Sequence, residues 1–301
     1  MTLIEPVPPM KNGVSASRVF LPAQTNYLTI YDFLCQQFPH ISAQEWLLRF
    51  HHQLIFDQNL NQLTEDTLYQ ANCFVFYYRF LAYEMPVPFP HHVVFENEYI
   101  MVVDKPHFLT ISPTGKYVQE TLLVRLKHET QNPHLTPIHR IDKDTAGLVM
   151  FCKQPAYRAA YQQLFADRAV QKHYHAIAAY APHLEFPHTI KLHLCKGEPF
   201  YTMRIDAEEK PNSETVIECL SHHAQRAKYL LKPITGKQHQ LRVHLNHLKI
   251  PIENDPLYPI VKHVADDCFD RPLQLLAKQL EFKDPVTGQF LQFESQQDLH
   301  L

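Results

Sequence analysis

Residues 139–151 read His139-Arg140-Ile141-Asp142-Lys143-Asp144-Thr145-Ala146-Gly147-Leu148-Val149-Met150-Phe151. Arg140, Asp142 and Asp144 fall within five residues, Thr145 and Gly147 follow, and then comes an apolar run. Polar, then turn, then apolar predicts a charged loop that feeds directly into a buried strand. Arg140 lies two residues before Asp142, so on extended backbone both side chains project to one face. A carboxylate held beside a guanidinium is ionised and oriented, which suits a nucleophile or a base. That singles out Asp142. Asp144 competes with it, because Asp144-Thr145 caps a turn equally well, and a loop Asp that only caps is the plain alternative.

Working outward, a chain of 301 residues is one large domain or two ordinary ones, and 45% hydrophobic residues suffice for a real core. A formal net charge of -3 announces no global affinity for nucleic acid. Only 6 glycines occur, and Gly115, Gly147 and Gly236 fall in or beside the informative stretches. They are expected where unusual backbone angles or close approach are needed. The 6 cysteines form no C-x-x-C pair and no zinc spacing. With no apolar leader and no run long enough to cross a membrane, a soluble cytoplasmic protein is expected.

Residues 1–27 are Pro-rich and read as an extended lead-in. A helical period begins at Leu28 and stops at Pro39. Ser42 and Glu45 form a capping box that opens a second helix through Trp46 and Phe50. Short strands follow near 54–56 and 74–78. Residues 28–85 therefore read as a small appendage, and their element order resembles the RNA-binding module of ribosomal protein S-four. Yet residues 1–89 carry four basic and seven acidic residues, which is no phosphate-binding face. Pro86, Pro88 and Pro90 mark a boundary, and residues 86–301 read as the main domain. There, strands are expected near 93–95, 99–103, 169–179 and across 186–232. Helices are expected over 120–129, 155–166 and after Gly236, and two final strands flank the turn 284–288.

Two further stretches could carry chemistry. Lys172, Tyr174 and Ala176 share one strand face, where an aromatic beside a small residue leaves room for a flat ring; an ordinary sheet Tyr is the alternative. Thr235-Gly236-Lys237-Gln238-His239-Gln240-Leu241-Arg242-Val243-His244 opens a helix with unusually dense polar residues. Cations at a helix start suit a phosphate, whereas a solvated polar face is the alternative. His239, His244 and His247 invite a metal, but the H-E-x-x-H spacing is absent.

These stretches together resemble the RluA-type pseudouridine synthases through most of 90–301. His139 to Leu148 resembles that family's HRLDxxTSGL signature. Val102 to Leu109 resembles VxxKPxGL with Phe108 in place of Gly, Lys172-x-Tyr174-x-Ala176 matches KxYxA, and Thr235 to His244 matches TGRxHQIRVH. Pro251 to Pro259 resembles PIxGDxxYG with Asn254 and Pro259 in place of its glycines.

The resemblance implies an α+β fold: a catalytic domain with a curved, mixed, mainly antiparallel sheet and flanking helices, plus the small N-terminal α/β appendage. It implies isomerisation of uridine to pseudouridine in large-subunit rRNA or tRNA, by a monomer without cofactor or metal. Asp142 would be the catalytic carboxylate, and Arg140 would help hold the flipped nucleotide. Tyr174 would stack on the uracil and assist proton removal, and Arg242 would pair with Asp142. His139, Thr145, Lys172, His239 and Gln240 complete the expected site. An inactive RNA-binding or ribosome-assembly protein and a His-metal hydrolase are the rival functions.

Overall fold

The computed structural model describes residues 7–23, 26–81 and 83–301. The chain divides into two compact units. The first holds the described residues up to Glu84 together with 113–119 and 124–133; the second holds 85–112, 120–123 and 134–301.

The first unit contains β1 (Ser17–Leu21), α1 (Ile30–Gln37), α2 (Ala43–His51), β2 (Ile55–Asp57) and β3 (Cys73–Tyr77). Its strands pair antiparallel in the order β1-β3-β2. The expected lead-in is thus corrected in its described part: Ser17–Leu21 is a strand on β3, with Leu21 fully buried. Residues 1–6, 24 and 25 of that lead-in lie outside the described residues. The first helix starts at Ile30 rather than Leu28, because Thr29 and Asp32 form a capping box, and Leu28 stays exposed. The capping box at Ser42 and Glu45 forms as the sequence predicts. Phe33, Leu34, Trp46, Ile55 and Val75 make the core of this unit. It also takes residues from Val124 onward of α3 (Leu122–Thr130).

The second unit is built on a ten-stranded sheet. Its elements are β4 (His92–Glu96), β5 (Ile100–Lys105), β6 (Thr136–Pro137), β7 (Ala146–Cys152), α4 (Arg158–Ala166), β8 (Gln171–Ala179), β9 (His188–Leu192), the β10–β11 hairpin (Leu194–Lys196 and Met203–Ile205), β12 (Ser213–His223), β13 (Arg226–Pro233), α5 (Gln240–His247), β14 (Leu275–Lys283) and β15 (Phe290–Glu294). The main path runs β4-β5-β7-β14-β8-β13-β12-β9, with β15 on β14 and β6 on β7. β7 and β14 pair parallel, while the other pairings are antiparallel. This is the mixed, mainly antiparallel sheet expected for an α+β chain.

Every residue of β7 is buried, so its apolar run is the strand that the opening stretch predicts. β7 is central because both edges are taken, by β5 and by β14. One core forms where α4 supplies Tyr161 against Val102, Leu148 and Met150. A second forms where α5 supplies Leu241 and Leu245 against Ala176, Tyr229 and Leu231. The aromatic stripe of α4 is therefore core, apart from Phe165, which also reaches the cavity described below.

The glycines divide. At Gly147 φ is +107°, and a Cβ would stand 2.3 Å from the Ala277 carbonyl oxygen. The parallel contact of β7 with β14 therefore requires glycine there. Gly236 is not in a left-handed conformation, and a Cβ on it would meet only Lys172 Nζ at 3.8 Å. Two of the three positions where the resemblance expected glycine keep the left-handed backbone without it: φ is +66° at Phe108 and +61° at Asn254. Asn tolerates this conformation readily, and Asn254 Nδ2 also donates to the Pro272 carbonyl. Phe108 is held instead by aromatic contacts with Phe89 and Phe269.

Gly147→Ala is expected to cost more than about 3 kcal/mol or to prevent folding. Gly236→Ala is expected to stay within about 1 kcal/mol of wild type. Urea unfolding of the two variants checks the contrast, and equal costs would contradict it.

Candidate active site

The loop 139–145 and the turn before α5 meet at a cavity of about 980 Å³. Asp142 and Thr145 come from the loop, Lys172 and Tyr174 from β8, and Lys237, His239 and Arg242 from the turn and α5. The strand pairings explain the meeting. β8 runs antiparallel beside β14, which runs parallel beside β7, so the entry to β7 at Ala146 and Gly147 stands level with His175 and Tyr174 in the middle of β8.

Arg242 is the centre of this site. Its side chain is 1% exposed. Nε and Nη2 donate to the two oxygens of Asp255 at 2.9 and 2.6 Å, and Nη1 donates to Asp142 Oδ2 at 3.2 Å. Burial alone would lower its pKa, but the hydrogen bonds and charge of Asp255, then Asp142 and Asp144, raise it above the ordinary arginine range. The cation is thus fixed, and it presents one N–H to Asp142, whose side chain is 27% exposed to the cavity. Asp255 in turn accepts from the backbone N–H groups of Leu257 and Tyr258. The guanidinium on Asp142 is therefore Arg242, not Arg140 as spacing alone suggested. Arg140 is exposed at the cavity wall.

The loop is held from beneath by Lys105, the last residue of β5. Its ammonium is fully buried and donates to three carbonyls: Pro106 at 2.8 Å, Leu109 at 2.8 Å and Lys143 at 3.0 Å. Burial pushes its pKa down to about 7, against the attraction of Asp144 and Asp142. Three carbonyl acceptors match the three protons of an ammonium and favour the charged form. Nearby, His107 Nδ1 contacts the Asp144 carbonyl at 2.7 Å, and the Thr145 N–H closes the turn onto the Asp142 carbonyl at 3.2 Å.

His139 accepts the Met150 N–H on Nε2 and stacks on Phe165 with centroids 4.6 Å apart. Burial, then Lys172, push it down to about 3, so it is neutral. Tyr174 is raised above the ordinary range by burial and then by Asp142, so its hydroxyl keeps its proton at neutral pH. Gln240 is 4% exposed and holds the turn: Oε1 accepts from Thr235 and from the Lys237 N–H, while Nε2 donates to the Glu214 carbonyl and to Thr215 Oγ1.

Gln240, Arg242 and His244, for which a solvated polar face was the alternative reading, are buried. His244 is fully buried between two hydroxyls of β12. Ser213 donates to the Leu192 carbonyl, so it accepts from His244 Nε2, and Thr215 Oγ1 donates to Nδ1. The three histidines do not converge: His239 Nδ1 contacts Tyr258, His244 is held by Ser213 and Thr215, and His247 is exposed. Among the described residues no group of three His, Cys, Asp or Glu is placed to hold a metal ion. The residues that sequence reasoning left out of the site are Lys105, Asp255 and Tyr258. All three lie in motifs already quoted, Lys105-Pro106 and Pro251 to Pro259.

Residues 99–247 match the family described as RNA pseudouridylate synthase. That stretch, just under half of the chain, is of that family. It is 36% identical over 176 residues to pseudouridylate synthase RPUSD2 of Mus musculus, covering 56% of this chain and 30% of the mouse protein. It is 29% identical over 212 residues to tRNA pseudouridine synthase C of Vibrio vulnificus, covering 65% of this chain and 86% of that one. Among solved structures, human RNA pseudouridylate synthase domain containing 1 superposes with a TM-score of 0.55 at 23% identity, over 71% of this chain and 86% of the human one. That likeness concerns the fold. The match thus spans under a third of the mouse relative's length.

Two measurements check the site's construction. Lys105→Met strands three buried carbonyls and is expected to cost about 2–4 kcal/mol; a loss below about 1 kcal/mol in urea unfolding would contradict the clamp. His244 is pushed down by burial from 6.5 to about 4. Between those values the unfolded chain binds a proton that the folded chain does not. Stability therefore falls as pH drops through that window, by up to about 1.4 kcal/mol per pH unit from this residue. His244→Gln is expected to flatten that acid limb, and an unchanged slope would contradict the assignment.

Proposed function

We propose that this protein isomerises uridine to pseudouridine in RNA, with Asp142 as the catalytic carboxylate. The observation that carries the proposal is the geometry at Asp142, whose one oxygen faces a buried, fixed Arg242 while the side chain opens into the cavity. The family match of residues 99–247 supports the same reaction. Several relatives are named as tRNA pseudouridine synthases, which favours tRNA as the substrate, with large-subunit rRNA the second choice.

The reaction detaches uracil from its ribose, turns it over and rejoins it through carbon. The nucleotide must first leave its stack, which costs a few kcal/mol and is cheapest in a loop. In this reading the flipped nucleotide enters the cavity of about 980 Å³. In this account Tyr174 offers its ring to the uracil, and its raised pKa makes it a flat wall and hydroxyl donor at neutral pH rather than a base. Arg140, Lys172 and Lys237 line the cavity and supply the positive charge that phosphates require. His139, Thr145 and Gln240 hold the walls. No step needs a cofactor or a metal ion.

Among the described residues no helix is long and apolar enough to cross a membrane. The six cysteines form no disulfide, which fits a reducing compartment such as the cytoplasm.

Forming pseudouridine releases the hydrogen at C5 of uracil. The purified protein is expected to release tritium from tRNA labelled at that carbon, and Asp142→Asn to release it more than about 10³-fold more slowly. Equal release by the variant would remove Asp142 from the chemistry. No release by wild type from labelled tRNA or rRNA, with RNA still bound, would favour the inactive RNA-binding alternative.

A further inference from the structure

His239 is placed as if for substrate, although its helix does not need it there. It precedes α5 in the left-handed region, at φ +53°, and its side chain caps nothing. A non-glycine residue held there costs energy, and such strain gathers at working sites. Its ring lines the cavity, with Nδ1 2.9 Å from the Tyr258 hydroxyl and Nε2 3.9 Å from Asp142 Oδ2.

The hydrogen bonds around Tyr258 decide which nitrogen carries the proton. The Tyr258 oxygen accepts the Met203 N–H at 2.8 Å. Tyr258 is 7% exposed, and burial pushes its hydroxyl up to about 12, so it keeps its proton. The acceptor available to that proton is His239 Nδ1. Burial lowers the pKa of His239, so the ring is neutral and its remaining proton sits on Nε2. The neighbouring carboxylate of Asp142 favours the same tautomer. At 3.9 Å the Nε2–H is too far from Asp142 for a hydrogen bond, so the donor is left directed at the space beside the carboxylate.

We propose that His239 Nε2–H is a fixed, neutral donor to a carbonyl oxygen of the reacting uracil, oriented by Tyr258. This rests on the pseudouridine reading and adds a residue to it. When the C1′–N1 bond breaks, its electron pair goes to the ring, and negative charge spreads onto the ring oxygens. The hydrogen bond from Nε2–H stabilises that charge without transferring its proton. A ring electron pair at C5 then forms the bond to the electron-poor C1′, the C5 proton is lost to water, and N1 takes up a proton from water. A neutral donor suits this task, since it holds its geometry and does not discharge Asp142. Tyr258 touches no reacting atom and acts as a positioning residue.

The test uses the full chain with tRNA labelled at uracil C5, under single-turnover conditions, with RNA affinity measured in parallel. His239→Leu is expected to slow tritium release by about 100-fold, the effect of losing one preorganised donor, with affinity within about threefold of wild type. His239→Gln, which can return an amide N–H near Nε2, is expected to recover at least about tenfold of that loss. Nitrogen-15 histidine spectra are expected to show the Nε2–H tautomer in wild type and a mixture in Tyr258→Phe. A wild-type rate in His239→Leu, or a Gln variant as slow as Leu, would overturn the donor role. An Nδ1–H tautomer in wild type would overturn it whatever the rates. If wild type releases no tritium while the spectra show the Nε2–H tautomer, the pseudouridine reading falls, and this inference falls with it.

Discussion

The guanidinium of Arg242 is buried between two carboxylates, and most of the second unit serves to keep it there. A charge taken out of water is costly unless it is paired and every donor is used. Asp255 takes two donors in a side-by-side grip, and Asp142 takes a third. The two carboxylates differ in what remains to them. Asp255 is closed in by its own turn, whereas Asp142 keeps an open side toward the cavity. One buried cation thus joins an enclosed carboxylate to one that is open to the cavity.

Both ends of that link are anchored in the sheet. On the helix side, α5 is pinned to β12 through Gln240, Thr215, His244 and Ser213, a chain of hydrogen bonds in which each donor finds an acceptor. Satisfied buried networks of this kind hold a single arrangement. On the loop side, Asp104 and Lys105 stand next to each other at the end of β5. The Asp104 carboxylate accepts from Ser295, Gln296 and Gln297 of the C-terminal segment. The Lys105 ammonium grips the carbonyl of Lys143, one residue past Asp142. Gly147 then lets β14 approach β7 closely enough to support the strand that the loop enters.

Much of this was legible in the chain. The apolar run after Gly147 announced a buried strand, because nothing polar interrupts it. The Ser42 and Glu45 capping box gave a helix start to the residue, because that signal is local. What escaped depended on distance. Arg140 is two residues from Asp142 and Arg242 is one hundred, yet it is Arg242 that reaches it, since the fold and not the spacing brings the partner. Strand β1 was hidden in a Pro-rich stretch, because its pairing partner lies over fifty residues away. A wet face was the alternative reading for Gln240 and His244 of α5. They are dry because β12 offers hydroxyls at matching positions, and no periodicity in the helix can report that. Asp255 and Tyr258 were quoted as part of a motif without a role, and only their contacts with Arg242 and His239 supply one.

The central claim is that Asp142, held by Arg242, performs the isomerisation in the cell. It is tested most directly by a pseudouridine map of total RNA from cells with and without this protein, complemented by wild type or by Asp142→Asn. The account predicts one or a few uridines that lose modification without the protein, regain it with wild type and stay unmodified with the variant. Restoration of those sites by Asp142→Asn would contradict it.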